Sequence, residues 1–311
     1  MTGAMGPQGN EGEWLGEQGE WPLQLSPMSE PSHFTASAPA SSGNLGPGFD
    51  VVALALELRC RVEAVPADAW IIHQDGSSYE PSVDDMVRRS VESAVDRPME
   101  LSIVNDIPRA RGLGSSSAVT TAAAAAALRA VGRVPDSGML FDIVAALEGH
   151  GDNAAAAVYG GLVVVGGDIW RRFEISPKLE VIVGVPDARL GTSEARSVLS
   201  AEVSRWAASR NLSRLAFLLE GLRSADPDVL EAAAGDELHE LPRHYLSPVT
   251  AELMDAARHG GALHAAWSGA GPTAIAFATA DAVDSVVVAM EETLGDEGSV
   301  RRLEVANEGW R

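Results

Sequence analysis

Apolar residues recur along this chain with two different periods, and the change from one to the other marks out its elements. Residues 1 to about 33 are rich in Gly, Glu, Pro and Ser with no sustained period, which predicts a disordered acidic tail. Trp14 and Trp21 in that tail are candidates for a docking motif. The chain becomes structured from Ala38. After a break at Pro47 and Gly48, Val51 to Glu57 alternates as a strand does, and residues 59 to 66 continue as a second strand with Arg59, Arg61 and Glu63 on one face.

Helical spacing marks residues 82 to 94, and Leu101 to Val104 predicts a short strand. Ala118 to Val131 is an Ala-rich helix of high intrinsic propensity, and Pro135 to Leu147 predicts another helix. Strands follow at Leu162 to Val165 and Val181 to Val185. Helices dominate from Glu194 to Gly260, before strands at Ala262 to Trp267 and Thr273 to Ala278, a helix at 281 to 294 and a last strand near 300 to 305. Strands and helices mix without regular alternation, so the class is α+β rather than a doubly wound sheet. A length of 311 residues allows two domains, drawn at 34–185 and 186–311.

Hydrophobic residues make up 46 % of the chain, a globular composition. No run of 18 apolar residues predicts a membrane span, and the acidic, Gly-rich N-terminus lacks the pattern of a secretory signal. Cys60 is the one cysteine, which excludes an intrachain disulfide and a thiolate zinc site and fits a reducing cytoplasm. A net charge of −21 is expected to repel nucleic acid and anionic membranes, because binding either needs basic groups that displace counterions. The one lysine, Lys178, sits in Ser-Pro-Lys-Leu, so no Walker A loop is present; the protein-kinase motif set is absent as well. A phosphate site must therefore come from backbone N–H groups, hydroxyls and arginine.

Three Gly-rich segments carry candidate chemistry. In Pro108-Arg-Ala-Arg-Gly-Leu-Gly-Ser-Ser-Ser-Ala118, Gly112 and Gly114 allow close backbone approach, and Ser115, Ser116 and Ser117 open the Ala-rich helix. Unpaired N–H groups and the positive dipole end of a helix suit phosphate there; the plainer alternative is a loop with a capping serine. In Glu148-Gly-His-Gly-Asp-Asn153, two acids, an imidazole and an amide fall within six residues. Zinc usually asks for more His or Cys, whereas magnesium takes one or two carboxylates plus phosphate oxygens, which Glu148 fits; an acidic turn capping the next element is the structural alternative. Trp267-Ser-Gly-Ala-Gly-Pro-Thr273 suits a tight hairpin turn packed on another loop.

In this order the segments resemble the motifs of the GHMP kinases. Pro39-Ala-Ser-Ser-Gly-Asn-Leu-Gly-Pro-Gly-Phe-Asp50 resembles the first motif in its homoserine kinase form, Arg111 to Ala118 the second, and Ser268 to Thr273 the third. Glu148 to Asn153, Thr192-Ser-Glu-Ala-Arg196 and Glu240-Leu-Pro-Arg243 are also similar to homoserine kinase segments. The resemblance implies an N-terminal domain with a left-handed βαβ unit, a ferredoxin-like C-terminal domain and a site in the cleft between them. It implies ATP phosphates on Arg111, Gly112, Leu113, Gly114, Ser115, Ser116 and Ser117, and Mg²⁺ at Ser116 and Glu148. L-Homoserine is implied at Asn44, Asp50, Asp152, Asn153 and Gly269, with its carboxylate near Arg196 and Arg243 and with Thr192 beside the reacting hydroxyl. Asp152, Thr192 and Arg196 would carry the catalytic roles, and a homodimer is implied too.

Those residue types suit the task, since phosphoryl transfer asks mainly for positioning and charge stabilisation, and arginines can fork onto a carboxylate. Asp152 can accept a proton or bind an ammonium group; a bound ammonium would hold its pKa low, which favours the second role. Some positions depart from the family pattern. Gly151 and Ala156 stand where prolines are usual, which predicts a less rigid loop, and Asp85 stands near an expected adenine-pocket asparagine. Alternatives to homoserine are mevalonate, shikimate or a related alcohol, or a non-catalytic protein of this fold that binds a metabolite.

Overall fold

The computed structural model describes residues 34–311, so the expected tail and its two tryptophans lie outside the described residues. Strand β1 (Phe34–Asn44) and strand β2 (Gly48–Pro66) form a long antiparallel pair. The two strands expected over residues 51–66 are one. Pro39 faces Arg59 while its neighbour Ala40 faces Leu56, so Glu57 and Leu58 bulge from the ladder without ending the strand. That bulge is the break the sequence pattern displays. On its other edge β2 changes partner there, pairing through Val52–Leu54 with β6 (Leu162–Gly166) and through Cys60–Pro66 with β5 (Met99–Asn105).

The sheet is extended by β3 (Ile71–Gln74) and β4 (Ser77–Tyr79) on one side and by β7 (Ile169–Phe173) on the other, giving the order β4-β3-β5-β2-β6-β7 with β1 on β2. These three short strands are too polar or too exposed to show an apolar period. Strands β3 and β5 are parallel, with helix α1 (Met86–Ala94) in the connection. Asp85 caps α1, its carboxylate accepting from Val87 N and Arg88 N.

Helix α2 (Ser115–Ala130) packs in the core of this half, where Ala122 to Ala127 are fully buried around its whole circumference. The alanines favour the helix intrinsically and let it lie close to the sheet. Helices α3 (Ser137–Glu148) and α4 (Asp152–Tyr159) follow. The expected loosened loop after Gly151 is instead α4, because Ala154 to Ala157 are strong helix formers and all four are buried. A side chain at Gly151 would press on Val165 and Phe141, so this residue marks close packing.

Strand β8 (Leu179–Pro186) opens a second sheet. It is followed by α5 (Thr192–Ser197), α6 (Arg205–Ser224), α7 (Pro227–Ala232), α8 (Glu240–Arg243) and α9 (Pro248–His259), then by the hairpin of β9 (His264–Trp267) and β10 (Ala274–Thr279). Helix α10 (Val283–Leu294) and β11 (Gly298–Leu303) end the succession. The antiparallel order β11-β8-β10-β9 with helical crossovers after β8 and β10 is the ferredoxin-like arrangement. Helix α9 buries Thr250, Leu253, Met254 and Ala257 at helical spacing, and α10 buries Val283, Val286, Met290 and Leu294. The division drawn after residue 185 falls at the end of β8, whose partners β10 and β11 both belong to the second sheet. Single bridges from Asn44 to Ser268 and from Leu56 to Val305 join the halves. No helix among the described residues is long and apolar enough to cross a membrane.

Candidate active site

The first, second and third motif turns, around Asn44 to Asp50, Arg111 to Ser117 and Ser268 to Thr273, converge on one cavity of about 260 Å³. The second turn enters α2 through Gly114 (φ 61°), which has no side chain to cap the helix start. Ser115, Ser116 and Ser117 thus present N–H groups and hydroxyls at the positive end of a 16-residue helix. The first and third turns fix this loop from behind. Ser41 N donates to Leu113 O at 3.1 Å, and Ser268 Oγ donates to Gly112 O at 2.7 Å. At Gly112 (φ 70°) an added Cβ would collide with the Ser268 carbonyl oxygen, and at Gly114 with Ser41 Oγ. Both glycines are therefore demanded by close approach as well as by backbone conformation.

Asn44 links the turns directly, donating from Nδ2 to Gly269 O at 2.9 Å and accepting from Asp50 N at 3.1 Å. Gly269 N in turn donates to Gly43 O. Asp50 receives a forked pair of hydrogen bonds from Arg196, at 2.9 and 2.6 Å. Those bonds, working against partial burial, raise the Arg196 pKa. Arg243 is only 2 % exposed and holds the opposite wall, donating to Ala195 O, Gly269 O and His239 Nδ1. Burial, and after it the charge of Arg196, lowers the Arg243 pKa to about 10. The face of Phe49 lies against both guanidinium groups, 5.5 and 5.7 Å from its centroid.

Facing these arginines, the start of α4 places Asp152 and Asn153 in the cavity. Asn153 Oδ1 accepts from Ser41 Oγ at 2.8 Å, and Asp152, 1 % exposed, meets His150 Nδ1 at 2.5 Å. Burial would lower the His150 pKa, but the hydrogen bond and charge of Asp152 outweigh it and raise the value. Glu148, at the end of α3, accepts from Ser117 Oγ at 3.1 Å. The neighbour expected there, Ser116, turns its hydroxyl to Met86 Sδ, although both serines line the cavity.

Every residue expected at the site lines this one cavity: Asn44, Asp50, Arg111 to Ser117, Glu148, Asp152, Asn153, Thr192, Arg196, Arg243 and Gly269. Arg111 differs from expectation in orientation. Its guanidinium donates to the carbonyls of Pro186 and Asp187, both at 2.7 Å, tying the second turn to the end of β8. His150 also lines the cavity and joins Asp50 and Asp152 in a group whose candidate ligand atoms lie within 4.8 Å of one another. The sequence had offered His150 only as one possible metal ligand. A second cavity, of about 280 Å³, shares Ala110, Ser115 and Ser116 with the first and is lined by Tyr79, Asp85 and Asn105.

Known proteins match this arrangement. The GHMP kinases N terminal domain model matches residues 83–161, and the GHMP kinases C terminal model matches residues 218–296. A homoserine kinase of Deinococcus radiodurans is 38 % identical over 264 residues, covering 80 % of this chain and 86 % of that protein. The chain belongs to the homoserine kinase family of GHMP kinases. A homoserine kinase of Microchaete diplosiphon is 34 % identical over 300 residues, 91 % of this chain and 98 % of its own length. In three dimensions a homoserine kinase from Cytophaga hutchinsonii, at 23 % identity, superposes with a TM-score of 0.81 over 91 % of this chain and 98 % of that one, which shows the shared fold. A putative homoserine kinase from Listeria monocytogenes gives 0.73 at 28 % identity, over 90 % and 98 %. The family's motif order and the geometry of the cavity thus coincide in one enzyme.

Proposed function

We propose that this enzyme transfers the γ-phosphoryl group of ATP to the side-chain hydroxyl of L-homoserine, giving O-phospho-L-homoserine and ADP. The observation that carries the substrate is the pairing, in one cavity, of a helix N-terminus rich in hydroxyls with a set of charges matched to an amino acid. Arg196 and Arg243 suit the carboxylate, and Asp50, Asp152 and Asn153 suit the ammonium group and the hydroxyl. The phosphates lie on Gly112 to Ser117, and the base takes the adjoining cavity beside Tyr79 and Asp85.

In the reaction the alcohol oxygen forms a bond to the γ-phosphorus while the bond from that phosphorus to the β–γ bridging oxygen breaks. Asp50 lies against Arg196, and Asp152 against His150. With both carboxylates taken up by the ammonium group in this reading, the hydroxyl proton passes to an oxygen of the phosphoryl group. Thr192, at the start of α5, positions the reacting hydroxyl, and Arg196 stabilises charge beside it.

The donor set suits Mg²⁺. Glu148, Ser116 and Ser117 are hard oxygen donors on the phosphate side, and among the described residues the three-residue metal-capable group lies instead at Asp50, His150 and Asp152. One carboxylate with hydroxyls fits a metal that arrives with phosphate oxygens. When bound, Mg²⁺ would neutralise phosphate charge, held by Glu148 and Ser116. Family resemblance extends the proposal to a cytoplasmic homodimer.

ADP release measured with Mg-ATP and L-homoserine, L-serine, mevalonate or shikimate tests the substrate. Turnover concentrated on L-homoserine supports the proposal, and a preference for another alcohol replaces the substrate while keeping the phosphate site.

A further inference from the structure

The turn that presents Asn44 and Asp50 has an unusual backbone. Asn44, Leu45 and Gly46 take φ values of 72°, 52° and 87° in succession, and Asp50 takes 57°. Left-handed backbone is unfavourable for Leu45 and merely tolerated by Asn44 and Asp50, so surrounding structure must fix it. The turn is buried from Asn44 to Gly48, and its carbonyl groups need partners other than water.

Three successive carbonyls find them on three separate elements of the C-terminal half. Leu45 O accepts from His264 Nε2 at 3.0 Å, Gly46 O from His239 Nε2 at 2.8 Å, and Pro47 O from Asn211 Nδ2 at 2.9 Å. These donors sit on β9, immediately before α8, and on α6. They come together on this turn from 164 to 219 residues away in sequence.

We propose that His264, His239 and Asn211 are positioning residues that preform the substrate side of the cleft, holding the turn so that Asn44 and Asp50 face the alcohol before it binds. This rests on the homoserine proposal, in which Asn44 and Asp50 contact the substrate. Each donor is committed to the task. The His239 ring accepts Arg243 Nη1 on its other nitrogen and stacks on Phe49, the residue before Asp50, at 5.2 Å. Asn211 Oδ1 accepts Glu237 N at 3.2 Å, while the His264 Nδ1 atom is buried without a partner among the described residues. His239 is therefore neutral with hydrogen on Nε2, and donation to Leu45 O places hydrogen on Nε2 of His264, whose ring burial keeps neutral as well. Burial lowers both pKa values, that of His264 to about 4, which keeps them so near neutral pH.

An apolar residue in place of a donor leaves a buried carbonyl unpaired, whereas glutamine can restore an N–H near the Nε2 position. The full chain carrying His264→Leu or His264→Gln is compared with its parent by amide hydrogen exchange over residues 44–50 without ligand, and by the KM for homoserine and for ATP. His264→Leu is expected to speed exchange in the turn about tenfold and raise the homoserine KM about tenfold, with the ATP KM within about twofold. His264→Gln is expected to return both to within about threefold of the parent. Asn211→Leu, on a different element, should reproduce the same split if His264→Leu does not fold. Unchanged exchange in the leucine variants, a glutamine variant as impaired as leucine, or equal rises in both KM values would overturn the proposal. A parent inactive on homoserine would retire the substrate alone, and the exchange comparison would still decide the positioning role.

Discussion

The guanidinium of Arg196 forks onto the carboxylate of Asp50, joining α5 to the start of β2 across 146 residues of sequence. Both side chains are about one-third exposed to the cavity, so the pair is accessible to a ligand. In the proposed binding mode a substrate carboxylate approaching Arg196 shares or replaces Asp50, and its ammonium group takes up the carboxylate so released. The Arg196–Asp50 pair thus mirrors the two charges of a zwitterion.

Arg196→Ala is accordingly expected to raise the homoserine KM about 100-fold, with a smaller effect on the ATP KM. Asp50→Asn should do less damage in the Arg196→Ala background than alone, because the two residues interact. Steady-state kinetics on the four members of the cycle checks this. Additive effects would mean that the pair does not act as a unit.

Glu148→Gln keeps an oxygen that can accept from Ser117 Oγ but removes the negative charge. Turnover at saturating Mg-ATP is expected to fall about 100-fold or more, with Tm little changed. Near-normal turnover would rule out Glu148 as the group that organises the metal.

Gly112→Ala drives a methyl group toward the Ser268 carbonyl at a positive φ. It should lower kcat/KM at least about 100-fold and also lower Tm, since the phosphate loop and the third turn cannot both keep their places. Gly132→Ala is the control. That glycine also has positive φ but nothing within 4 Å among the described residues, so a loss of about 1 kcal/mol in stability and unchanged kinetics are expected.

Buried Glu240 accepts from Trp267 N at 2.9 Å, bracing the strand that leads into the third turn. Burial raises its pKa from 4.5 to about 7. The fold therefore binds this proton more tightly than the unfolded chain does. The associated stability is fully present below pH 4.5 and is lost as pH rises through about 7. Glu240→Gln should consequently gain about 3 kcal/mol over the parent at pH 8.5 relative to its standing at pH 4.5. Denaturant unfolding at the two pH values measures the difference.

The three turns were legible because their chemistry is local: glycines and serines within a few residues specify a close approach or a helix start wherever they fold. The Ala-rich α2 was legible for the same reason. The continuous β2 was not, because its bulge at Glu57 and Leu58 interrupts the apolar pattern while β1 and the change of partner carry the strand through. Arg111 was assigned to phosphate from its place in the motif, and only the fold brings the Pro186 and Asp187 carbonyls to its guanidinium. His239, His264 and Asn211 lay beyond reach of any local pattern, since each meets the first turn through one long-range hydrogen bond.

The most direct test of the central claim is the identity of the phosphorylated product. Phosphorus NMR of a reaction containing Mg-ATP and L-homoserine should show one O-phosphohomoserine formed per ADP, with Arg196→Ala suppressing both signals together at low homoserine. Release of inorganic phosphate without a phosphate ester, or no dependence of ADP formation on homoserine, would contradict the account.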